Sequence, residues 1–112
     1  MPHRNWQLRI ADIIEAIEKC LAYVDEMTFD QFVDDPKTID AVIRNIAVIG
    51  EAARNVPEEV IDQNSSLPWR EMRDIRNVVV HEYFGVDNKV VWDTLQRNPP
   101  PLIPELKRML TP

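Results

Sequence analysis

At 112 residues the chain is too short to divide sensibly in two, and a single domain over residues 1–112 is expected. Two glycines argue against hairpins and Gly-rich phosphate loops, and one cysteine excludes both an intramolecular disulfide and a Cys-based zinc site. A net charge of −6 argues against non-specific coating of nucleic acid, which needs a broad basic surface, but leaves room for a small basic cleft.

From the N-terminus, Trp6, Ile10, Ile13, Ile17, Cys20, Leu21 and Val24 recur at three- and four-residue steps. They form one stripe of an amphipathic helix from about Asn5 to Asp25. Cys20 lies on that stripe and reads as a buried thiol. His3 precedes the helix and is given no role. Thr28-Phe29-Asp30-Gln31 is a capping box that opens a short helix to about Asp34. Asp35-Pro36 then starts a long helix to about Asn55, with aspartate as N-cap and proline at the first helical position. Its apolar stripe is Ile39, Val42, Ile43, Ile46, Ile49 and Ala53, and the small residues Ala47, Gly50 and Ala53 would let another helix approach closely. Glu51, beside that contact, reads as a solvated carboxylate or, more sharply, as a partner for a nearby arginine.

Pro57-Glu58-Glu59 opens a short helix that ends by Asn64-Ser65-Ser66. Leu67-Pro68-Trp69 begins a central helix. After Gly85, Asp87 would cap a helix carrying Val90, Val91 and Leu95. Asn98-Pro99-Pro100-Pro101 is expected to interrupt it with extended backbone, leaving a last amphipathic turn or two with Leu102, Ile103, Leu106, Met109 and Leu110. The fold class is all-α, a bundle of about four main helices plus short ones. No run approaches a membrane span, and the opening MPHRNWQLRI lacks the apolar run of a signal peptide. With the lone thiol, this makes a cytoplasmic protein the expectation.

The stretch Pro68 to Val86 concentrates the chemistry. It holds Arg70, Arg73 and Arg76, then Asn77, His81 and Tyr83. Arginine stabilises phosphate charge, histidine moves protons near neutral pH, and tyrosine offers a hydroxyl. That set suggests metal-independent RNA cleavage, with no cofactor. His81 would act as base on the ribose 2′-hydroxyl or as acid on the leaving oxygen, Arg76 would stabilise the phosphate, and Asn77 would support them. Five residues apart, Arg76 and His81 diverge by roughly 140° on an ideal helix. A long arginine swinging round, or two copies facing each other, would bring them together, so a homodimer is expected. Against this stands a structural alternative, in which Glu71 and Asp74 pair with the arginines on the surface and Tyr83 is a core aromatic.

The chain also resembles the HepT-like family, all-α proteins of the HEPN superfamily, over nearly its whole length. The resemblance rests on Arg44-Asn45, Ile49-Gly50-Glu51-Ala52-Ala53, Leu67-Pro68-Trp69-Arg70, Ile75-Arg76-Asn77, His81-Glu82-Tyr83-Phe84 and Val90-Val91-Trp92, with the Arg-x4-His-x-Tyr signature complete. It implies an HEPN-like helical bundle, typically dimeric, that serves as the ribonuclease toxin of a toxin–antitoxin pair. Arg76 and His81 would then be the catalytic pair, with Asn77 supporting. The implied partner is a minimal nucleotidyltransferase of the MNT type, an antitoxin that transfers AMP units from ATP to Tyr83. Arg70 and Arg73 are the candidate contacts to RNA phosphates. The competing expectation is a non-catalytic interaction or nucleotide-binding subunit of the same nucleotidyltransferase.

Overall fold

The apolar periodicity is realised as helices throughout. The computed structural model describes residues 6–80, 87–97 and 99–111, with backbone alone at 78–80 and 99–100. Seven α-helices and no strand occur among the described residues. In order they are α1 (Trp6–Tyr23), α2 (Phe29–Val33), α3 (Pro36–Arg54), α4 (Glu58–Gln63), α5 (Trp69–Val80), α6 (Asn88–Arg97) and α7 (Pro99–Met109). The architecture is the expected all-α bundle. No described helix is long and apolar enough to cross a membrane.

The helix starts follow the capping chemistry in the sequence. Thr28 Oγ1 accepts from the Gln31 N–H at 3.1 Å, and Gln31 Oε1 accepts from the Thr28 N–H at 2.8 Å, completing the capping box of α2. Asp35 caps α3: its carboxylate accepts from the Thr38 hydroxyl at 2.8 Å and from the Thr38 N–H at 3.1 Å. These two bonds, the hydroxyl first, hold the Asp35 carboxyl below its ordinary value. Its capping contribution is therefore present at neutral pH and fades as pH falls through that lowered value. Asp87 Oδ1 accepts from the N–H groups of Lys89 at 3.0 Å and Val90 at 3.2 Å, as expected of the cap of α6.

The triple proline departs from expectation. α6 stops at Arg97, but Pro99, Pro100 and Pro101 are helical, forming the first turn of an eleven-residue α7 rather than an extended spacer. The first-turn N–H groups of a helix have no internal acceptor, so prolines there forfeit no hydrogen bond and bring φ already set. The last amphipathic segment is consequently longer than a turn or two.

Two clusters of buried side chains hold the bundle. Ile13, Ile17, Ala53, Met72 and Leu106 belong to the first, which joins α1, α3, α5 and α7. Cys20, Phe32, Val42, Ile46, Val91 and Leu95 form most of the second, which joins the far ends of α1 and α3 to α2 and α6. Ile75 of α5 packs against both. In the second cluster the Phe32 ring lies 5.3 Å from that of Trp92, and Phe29 meets the same indole edge-on at 6.1 Å. Short α2 is thereby fixed to α6.

Phe32 is fully buried, so Phe32→Ala is expected to lower stability by about 3–5 kcal/mol. The urea midpoint reads this directly, and a loss under 1 kcal/mol would mean that α2 is not part of the core. Burial pushes the Cys20 thiol up to about 12. At pH 8 it carries far less thiolate than an exposed cysteine does. Thiol reagents should therefore label the native protein far more slowly than the protein in concentrated urea.

Candidate functional site

The candidate site is built on α5, whose start and middle each have an anchor. At its start the Trp69 indole is buried and donates through Nε1 to the Asn64 carbonyl at 2.9 Å. Asn64 in turn donates to the Val60 carbonyl at 2.9 Å, which closes the end of α4. In its middle α5 runs across Gly50 of α3. A Cβ added at Gly50 would lie 3.4 Å from the Arg73 carbonyl oxygen, 3.6 Å from that of Met72 and 3.7 Å from Ile75 Cγ2. The two backbones touch here, as the run of small residues predicted.

Arg70, Arg73 and Arg76 leave this helix over an arc of about 120° and about 9 Å of its axis. Their surroundings differ. Arg70 is exposed at the side facing α6 and α7. Arg73 is half-buried toward α4, where Nη2 donates to Glu58 Oε1 at 2.9 Å, while its buried Nε has no hydrogen-bond partner among the described residues. Arg76 and Asn77 are both exposed. The surface pairs with Glu71 and Asp74 do not form among the described residues: Arg73 takes its partner from another helix. One and two positions away, Asp74 and Glu71 do not face Arg73 on a helix.

Arg76 has an unusual position. On an ideal helix it lies about 20° from Trp69 and about 40° from Met72. Both of those are buried, yet Arg76 is exposed. The layer that covers the first turns of α5 stops short of it, leaving a cation on the inward stripe with no ion pair among the described residues. α5 is described as far as Val80. His81 and Tyr83, and the side chains of the Val78-Val79-Val80 run, lie outside the described residues.

Glu51 follows its simpler reading. It is exposed, and its carboxylate accepts only a long 3.4 Å bond from Asn55 Nδ2, which also caps the Glu51 carbonyl at 2.8 Å. Two features went unread in the sequence. Asn45 is buried on α3, with Nδ2 donating to the Ala41 carbonyl at 2.9 Å. Its register, three after Val42 and four before Ile49, was the available signal. The second feature is a groove of about 700 Å³ between α5, α6 and α7, lined in part by Arg70, Asp74, Ile75, Thr94, Arg97 and Leu102. Its walls come from three segments, and no local pattern announces it.

Residues 13–109 match the family model described as Ribonuclease HepT-like. A proposed RNase of Methanocaldococcus jannaschii is 36% identical over 110 residues, which is 98% of this chain and 91% of that protein. A probable ribonuclease HepT of Thermococcus cleftensis is 42% identical over 93 residues, covering 83% of this chain and 84% of the relative. A proposed RNase of Caldanaerobacter subterraneus subsp. tengcongensis is 35% identical over 98 residues, 88% of each chain. No solved structure matches the chain significantly.

The contact at Gly50 sets a size limit. Gly50→Ala is expected to be tolerated and to raise stability by up to about 1 kcal/mol, since alanine is the better helix former and its Cβ only reaches ordinary contact. Gly50→Leu should instead push α5 away and lower stability by about 1–3 kcal/mol. Equal urea midpoints for the two variants would show that the helices do not touch there.

Proposed function

The chain belongs to the ribonuclease HepT-like family, and on that premise we propose that it is a metal-independent endoribonuclease, the toxin of a toxin–antitoxin pair. The observation that carries this is Arg76, an exposed cation on the inward stripe of a helix fixed at its start and middle. A second copy of α5 facing it would supply the missing cover. It would also place two copies each of Arg76 and His81 in one cleft, which removes the angular conflict between them.

In that cleft a neutral His81 takes the proton of a ribose 2′-hydroxyl, whose oxygen attacks the adjacent phosphorus. The bond from phosphorus to the 5′-oxygen breaks, and an imidazolium returns a proton to the leaving oxygen. A 2′,3′-cyclic phosphate and a 5′-hydroxyl end result. Arg76 stabilises the charge that builds on the phosphoryl oxygens, and Asn77, one residue on, orients substrate or imidazole. Arg70, exposed and without an ion pair among the described residues, suits an RNA phosphate better than Arg73, which is engaged with Glu58.

The partner in this proposal is an MNT-type nucleotidyltransferase. The Tyr83 oxygen attacks the α-phosphorus of ATP, pyrophosphate leaves, and the phenolic proton passes to a base of the transferase. Each AMP adds negative charge beside the arginines and repels the RNA backbone. A second reading draws on the net charge of −6. There the protein is a non-catalytic subunit of the same transferase, and the tyrosine is only a point of modification.

Cleavage of labelled cellular RNA in excess EDTA tests the proposal, once mass spectrometry has shown Tyr83 unmodified. Wild type should cut, while Arg76→Ala and His81→Ala should each lose about a hundredfold or more in rate with unchanged folding and dimerisation. Variants that cut like wild type would remove those residues from the mechanism. Unmodified wild type that cuts nothing would favour the non-catalytic subunit.

A further inference from the structure

The groove between α5, α6 and α7 is a concavity on the same helix that carries Arg76. At about 700 Å³ it lies within the size range of small-molecule sites. Its floor is apolar, made by Met72 and Ile75 of α5 and Leu102 of α7. Arg70 and Arg97 contribute cations from two different helices. Arg70 has no ion pair among the described residues, and Arg97 is held only loosely, 3.8 Å from Asp93 with a side chain 76% exposed. Asp74 and Thr94 add a carboxylate and a hydroxyl, neither hydrogen-bonded through its side chain among the described residues.

An apolar floor, two cations and an unsatisfied hydrogen-bonding pair describe the needs of a nucleotide. The floor accepts the face of a base, the arginines accept phosphates, and Asp74 with Thr94 meets the polar edge of the base. An acyl chain or apolar peptide would leave both cations and the carboxylate without partners. In a chain with 19 acidic and 13 basic residues, the two arginines also balance Glu71 and Asp74, so the groove is spared the general repulsion of a polyanion. Asp74 and Ile75 immediately precede Arg76 in the sequence. Along the axis of α5 the groove thus lies within about one helical turn of Arg76, with Asp74 about 160° round the helix from it, so a strand that meets both crosses the helix.

We propose that this groove holds one unstacked nucleotide of the RNA strand that passes Arg76, and that Asp74 selects a base bearing an exocyclic amino group over uracil. The substrate class rests on the ribonuclease reading, whereas occupancy of the groove can be measured without it. A carboxylate accepts from an amino group such as cytosine N4, whereas uracil presents a carbonyl oxygen at that position.

The experiment uses fluorescein-labelled cytidine and uridine hexamers with 2′-fluoro sugars, which cannot be cut by 2′-hydroxyl attack, and reads binding by anisotropy at low salt. Wild type should bind the cytidine hexamer about tenfold more tightly than the uridine hexamer. Thr94→Trp, which fills the groove, and the double variant Arg70→Ala/Arg97→Ala should each weaken the cytidine hexamer about tenfold or more. Asp74→Asn, isosteric at an exposed position and so safe for folding, should bring the two hexamers to equal affinity. No binding by wild type, or Thr94→Trp binding like wild type, overturns the proposal. So does weakening by the arginine variant alone, which would place phosphates at the rim and no base inside. Cleavage of ordinary RNA in EDTA is scored separately: binding in the groove without cutting ends the ribonuclease reading alone, and cutting with Thr94→Trp at full affinity ends the groove alone.

Discussion

The bundle depends on a contact between two backbones. Where α5 crosses α3, Gly50 presents no side chain, and the carbonyls of Met72 and Arg73 come to lie where a Cβ would touch them. A mid-helix glycine is about 1 kcal/mol poorer than alanine in intrinsic propensity, and here it leaves room for α5 that any side chain larger than alanine would take. From that crossing, Met72 reaches into the cluster shared by α1, α3 and α7, and Ile75 reaches both clusters. The three arginines inherit their directions from the same crossing.

Those directions separate the arginines by role. Arg73 turns toward α4 and is engaged by Glu58, so its charge is partly spent inside the molecule and its Nε stays buried without a partner. Arg70 points into the groove beside α6 and α7, and Arg76 emerges where the covering layer ends. One helix thus carries a structural cation and two accessible ones, at successive positions three apart. Net charge misses this division, since it sums residues that face different neighbours.

Much of the fold was legible because it depends on short-range chemistry. The stripes of α1 and α3, the capping box at Thr28, the Asp35-Pro36 start and the Asp87 cap all concern residues within four positions of one another. The close approach at Gly50 was legible too, although its partner was not. The triple proline was misread because proline's usual effect, loss of a donor, is absent in the first turn of a helix. Arg73's partner was missed because Glu58 is fifteen residues away and only the folded chain brings it near. The groove could not be read at all, since α5, α6 and α7 meet around it from separate parts of the chain. At the site, sequence marked Arg76 and Asn77, and the fold adds that both are exposed.

Ile75, shared by both clusters, has a consequence for control. A helix packed at the junction of two clusters cannot swing or fray at its middle without disturbing both, so its opening approaches the free energy of unfolding the whole domain. Domains of this kind hold about 5–15 kcal/mol in total. A ligand or partner would have to supply a comparable bias to switch the site by moving α5. Masking Arg76, or changing the charge beside it, would alter what that exposed cation can hold without moving the helix at all.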